Sequence, residues 1–79
     1  MPTILRIGPY RFLFYASDGD EPMHVHVMRD DSMAKFWIKP VRLSLNIGYA
    51  SKELREIGKL VEKNINEIER KWNEFFTHR

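Results

Sequence analysis

Gly19-Asp20-Glu21-Pro22-Met23-His24-Val25-His26-Val27 holds two of the chain's three histidines, two carboxylates and a proline in nine residues. His24 and His26 alternate with Val25 and Val27. That is the period-two pattern of a half-buried strand. The valines then face a core, and both imidazoles leave the strand on the opposite face.

The next residues extend this strand into a hairpin. A strand over about 23–29 is followed by Asp30-Asp31 as a turn, and a second strand runs over about 32–39. A two-residue turn fixes the register. It pairs Arg29 with Ser32, Val27 with Ala34 and Val25 with Phe36. His24 then lies opposite Trp37, and His26 opposite Lys35. The apolar partners all share one face, which is the reason to accept the hairpin.

Upstream, Thr3-Ile4-Leu5-Arg6-Ile7 reads as a strand, Gly8-Pro9 as a turn and Tyr10–Ala16 as a second strand. Phe12 and Phe14 mark its core face; Arg11, Leu13 and Tyr15 mark the other. Residues 17–22 form a polar, acidic connection expected to be exposed.

Downstream, Pro40 interrupts the ladder because it has no N–H to donate. Val41, Leu43, Leu45 and Ile47 alternate with Arg42, Ser44 and Asn46, which gives a fifth strand or an extended edge segment. Gly48-Tyr49-Ala50 is a linker, and Ser51 is the expected helix N-cap. Leu54, Ile57, Leu60, Val61, Ile65, Ile68, Trp72, Phe75 and Phe76 then recur at helical spacing. One helix over 52–77 would be about 39 Å long. A compact domain of this size has a radius of gyration of only about 12 Å. Asn64, with Glu67 three residues on, resembles a capping box. Two helices, roughly 51–63 and 65–77, are preferred to one that overhangs the sheet or packs on a second subunit.

Strands first and helices last give an α+β domain over residues 1–79: an antiparallel sheet of four to five strands covered on one face by C-terminal helices. A chain of 79 residues buries only about 60–65% of its unfolded surface. It has no cysteine to staple a small core. Thirteen basic residues are dispersed among eleven acidic ones, for a net charge of +2. That permits RNA contact without pointing to it. No apolar run approaches a membrane span, and the N-terminus lacks the apolar core of a signal peptide. A cytoplasmic protein is expected.

Four blocks carry a family resemblance. They are Pro2-Thr3-Ile4-Leu5-Arg6-Ile7-Gly8-Pro9-Tyr10-Arg11-Phe12, the histidine stretch, Ala34-Lys35-Phe36-Trp37-Ile38-Lys39-Pro40-Val41-Arg42-Leu43, and Ser51-Lys52-Glu53-Leu54-Arg55-Glu56-Ile57 ahead of Trp72. In this order they resemble the bacterial domain of unknown function 4160 over nearly the whole chain. Asp20, Glu21, Pro22, His24, His26, Lys35 and Trp37 match its motif. This chain has Asp30-Asp31 where the family usually has Asp-Gly. The resemblance implies a small stand-alone prokaryotic protein. Members are often encoded beside another small protein of unknown function, the family numbered 2442, as in toxin–antitoxin modules. It implies no catalytic role for any residue.

The histidine face supports three chemistries. Histidines two apart on a strand lie about 6.5–7 Å apart along it, near enough to share a divalent metal. Asp20, Glu21 or His78 would have to complete such a site. Alternatively, His24 and His26 act as acid and base on RNA without a metal, while Lys35 and Arg29 hold the phosphate. The third reading is a contact surface, with the rings stacked on Trp37 and hydrogen-bonded to Glu21. Asp18, Asp20 and Glu21 lack the spacing of a calcium loop. Trp72, Phe75 and Phe76 read as core. Lys52, Arg55, Lys59 and Lys63 read as a solvated basic stripe on the first helix.

The reading that joins residues and resemblance is a protein-interaction module acting with a small cognate protein, as one member of a toxin–antitoxin-like pair. It needs no cofactor. The alternatives are a small ribonuclease or a metal-binding domain using His24 and His26. Asp20, Glu21, Arg29 and Trp37 are the expected binding residues, and an edge at strand one or five offers a homodimer contact.

Overall fold

A computed structural model describes residues 3–77. Five strands form one antiparallel meander, in the sheet order β1-β2-β3-β4-β5. They are β1 (Thr3–Ile7), β2 (Tyr10–Leu13), β3 (His24–Arg29), β4 (Ser32–Ile38) and β5 (Val41–Ile47). Two helices follow, α1 (Ser51–Lys63) and α2 (Ile65–Phe76). The α+β expectation holds.

The β3–β4 register is the one the turn dictates. His24 pairs with Trp37, Val25 with Phe36, His26 with Lys35, Val27 with Ala34 and Arg29 with Ser32. The turn closes without glycine because Asp30 takes φ 52, a left-handed conformation that aspartate tolerates better than most residues. Gly48, at φ 93, has a firmer requirement. A Cβ there would sit 2.7 Å from Ser32 Oγ, so both backbone and space call for glycine.

The core lies between the sheet and the helices. Phe12, Phe14, Val25, Val27, Ala34, Phe36 and Ile38 meet Ile57 and Val61 of α1 and Ile68 and Trp72 of α2. The chain bends at Asn64 between the two helices, and the radius of gyration is 11.7 Å. Neither expected cap forms as drawn. Ala50, not Ser51, is the N-cap of α1. The Asn64 side chain instead turns back to donate to the Leu60 carbonyl at 2.8 Å, which also accepts the Asn64 N–H at 3.1 Å.

Two strand expectations need correction. β2 ends at Leu13, not Ala16, because the chain turns at Tyr15 into a short 3-10 helix, Ala16–Asp20. β5 contains a bulge: Lys35 pairs with Leu45 but Phe36 with Leu43. Ser44 is thus the extra residue, and the apolar row splits between the two faces. Leu43 shares the helix side with Phe36, while Leu45 and Ile47 share the other side with Lys35 and Met33.

A half-buried polar clamp ties sheet to helix. Arg29 grips Glu53 of α1 with two bonds of 2.8 Å, and the Tyr10 hydroxyl donates to the same carboxylate at 2.6 Å. Burial first, and then this bond, push the Tyr10 hydroxyl up to about 12. The unfolded value is about 10. A folded value above the unfolded one means the contribution is complete below pH 10 and is lost as pH rises toward 12. Alkaline unfolding should therefore begin near pH 10, and Tyr10→Phe should remove this component. Circular dichroism across a pH titration of both proteins checks it; identical alkaline profiles would refute it.

Candidate functional site: a buried histidine–aspartate cluster

The alternation at 24–27 does send both imidazoles out on the side opposite Val25 and Val27, but that side is not open, and Trp72 of α2 reaches His24 there. The 3-10 helix folds over it. His24 is 0% exposed, His26 7% and Leu13, beside His26 in the ladder, 0%. The expectation of an open histidine surface is corrected by this cover; the acidic connection is exposed as expected at Ser17, Gly19, Asp20, Glu21 and Pro22, and departs from expectation at Asp18, which is buried. Its cause is local. Asp18 lies three residues after Tyr15, and its Oδ2 accepts the Tyr15 N–H at 2.8 Å. This is a helix-start arrangement, and it turns the carboxylate inward.

Asp18 is the residue that sequence reasoning missed as part of the site. Its Oδ1 lies 3.2 Å from His24 Nε2, and its Oδ2 lies 3.2 Å from His26 Nε2. All three residues are buried. The other ring nitrogen of His24, Nδ1, is 2.8 Å from the Pro22 carbonyl oxygen. A carbonyl can only accept, so Nδ1 carries the hydrogen. Three aromatic rings pack against the pair. Trp37 and Trp72 stand edge-on to His24, Tyr15 stands edge-on to His26, and the two imidazoles meet at 5.2 Å. Burial holds the His26 imidazole below its usual range; the Asp18 carboxylate opposes this, while His24 and Lys35 reinforce it.

The remaining expected site residues divide. Lys35 and Trp37 do adjoin the cluster. Lys35 bonds Glu21 at 2.6 Å and lies 4.6 Å from the centre of the Trp37 ring. The Lys35 ammonium holds the Glu21 carboxyl below the usual carboxylate range. Glu21 Oε1 comes only within 3.8 Å of His24 Nδ1, which Pro22 already occupies. Asp20 is exposed at the end of the 3-10 helix. Arg29 points to the opposite side of the sheet, into the Glu53 clamp. His78 lies outside the described residues. Acid–base work on RNA needs imidazoles that a 2′-hydroxyl can reach, and within this cover they are turned away from solvent.

No curated protein and no solved structure matches the chain. A family model, Domain of unknown function (DUF4160), matches residues 10–73, a span that holds the whole cluster and both of its flanking tryptophans. With most of its length inside that match, the chain belongs to this family.

Proposed function

We propose that this domain is a protein-interaction module that engages a small cognate protein along β5, as one member of a toxin–antitoxin-like pair. One observation carries the reading. β5 is an edge strand, and Leu43, Leu45 and Ile47 on it are 42%, 45% and 51% exposed. Native sheets usually blunt an edge strand with charge, proline or cover. The bulge at Ser44 and the charge of Arg42 interrupt this edge, yet its three exposed apolar side chains suit the addition of a partner strand, with backbone hydrogen bonds supplying affinity and alternate side chains supplying choice.

The surroundings indicate the partner's chemistry. Between β5 and α1 runs a groove lined by apolar Phe36, Leu43 and Leu54 and by three cations, Arg42, Arg55 and Lys59, against one acid, Glu62. An extended segment with apolar residues flanked by acids fits both kinds of lining. The basic stripe on α1 then has a use as part of a contact surface.

The test is Leu45→Lys, which leaves the described core untouched. Tagged wild-type protein from its native host should retain one stoichiometric small protein, and the variant should lose at least about ten-fold in affinity for it, since a central apolar contact is commonly worth more than 1 kcal/mol. Circular dichroism should be unchanged. Retention by the variant at wild-type affinity, or release of a second copy of this chain instead, would refute the reading.

A further inference from the structure

The Asp18–His24–His26 cluster has a charge problem that geometry alone exposes. His24 Nδ1 carries a hydrogen for the Pro22 carbonyl, so in the neutral ring Nε2 is a bare lone pair. That lone pair sits 3.2 Å from a carboxylate oxygen, which is also an acceptor. Two buried acceptors facing one another repel unless a cation lies between them.

The directions of the groups matter as well as the distances. At 3.2 Å a ring nitrogen and a carboxylate oxygen are near enough to bond, yet His24 Nε2 and both nitrogens of His26 are buried without a hydrogen-bond partner. Hydrogen-bonded pairs align donor on acceptor. Ligands of a common ion do not: they converge on a point between them. The two nitrogen–oxygen separations of 3.2 Å agree with this. Zinc bound at 2.0–2.1 Å in a tetrahedron sets its donors about 3.3 Å apart. One candidate atom from each residue can be chosen so that all three lie within 4.8 Å of one another.

We infer that Asp18, His24 and His26 form a three-ligand site for a first-row divalent cation of the zinc type, with His24 and His26 binding through Nε2. The donor set, two imidazoles and one carboxylate without thiolate, suits such an ion. The Pro22 carbonyl fixes the ring and tautomer of His24, as an outer partner of a metal-binding histidine does. Tyr15, Trp37 and Trp72 supply the apolar wall. The site also explains the fold of the connection: one ion would tie the 3-10 helix to β3.

The test uses the full chain stripped with chelator, then zinc alone and cobalt(II) alone as probes. At a hundredfold excess of free zinc over Kd, Tm should rise by about 10 °C or more. Cobalt should give the visible bands of a low-symmetry site. Asp18→Asn keeps an oxygen for the Tyr15 N–H and should remain folded; His26→Asn serves as the second variant. Both should lose the zinc-dependent rise and the cobalt bands, while His78→Ala should keep them. The inference is overturned if zinc leaves Tm unchanged and cobalt gives only the spectrum of the hydrated ion. It is equally overturned if the bands survive in both folded variants.

Discussion

Trp72→Ala should remove about 3–5 kcal/mol of stability, the usual cost of deleting a large buried aromatic. A domain of this length has roughly 4–12 kcal/mol in total, so the variant should be largely or marginally unfolded at 37 °C. The reason is position. Trp72 is 8% exposed and touches three different parts of the structure: Phe14 at 5.1 Å, Phe76 at 4.4 Å and His24 at 5.3 Å. It seals the helix layer and also walls the histidine cluster. Trp72→Phe keeps an aromatic edge and should lose markedly less. Urea unfolding followed by circular dichroism gives both values. A loss below about 1 kcal/mol for the alanine variant would show that α2 is not seated as described.

Asp18→Ala should be the second most damaging change, at about 3 kcal/mol. The substitution deletes the acceptor of the Tyr15 N–H, the bond that starts the 3-10 helix, and it empties the space between two imidazoles that are 0% and 7% exposed. Loss of the turn should unroof the cluster, so His24 and His26 should become open to modification in this variant. Asp18→Asn keeps an acceptor and should lose less. Equal stability for Asp18→Ala and the parent would mean that the connection is not held by this carboxylate.

The histidine hairpin was legible because its pattern and its turn constrain each other. A two-residue connection permits one register, and only that register puts Val25, Val27, Ala34 and Phe36 on a single face. The break at Asn64 was legible from length against compactness, though its side chain caps the preceding helix and not the following one. Residues 15–20 were harder. A run of Ser, Asp and Gly announces a turn, but which acid folds inward depends on what lies beneath. The available signal was Asp18 three residues after Tyr15, the spacing of a helix-start bond, and nothing in composition separates it from Asp20. The bulge at Ser44 left even less trace, because no glycine marks it. Exposure of the histidine face was misjudged for the same reason as Asp18. Period two tells which side a residue leaves the strand, not what covers that side.

Those residues matter for function because the cover changes the chemistry on offer. Two open imidazoles beside Lys35 suggest acid–base work. The same imidazoles packed around a carboxylate suggest a tied, cation-holding joint. The proposed contact surface then lies on β5, where the apolar side chains are exposed.

The most direct test of inward-facing histidines is diethylpyrocarbonate labelling of the native protein, read by mass spectrometry on the peptide containing His24 and His26. The reagent needs a neutral, reachable imidazole nitrogen. Both residues should stay unmodified in the folded parent and should react in Asp18→Ala or in urea. Modification of both in the folded parent, at the rate of free histidine, would contradict the account: the 3-10 helix would not cover them, and the open face read from the sequence would be restored.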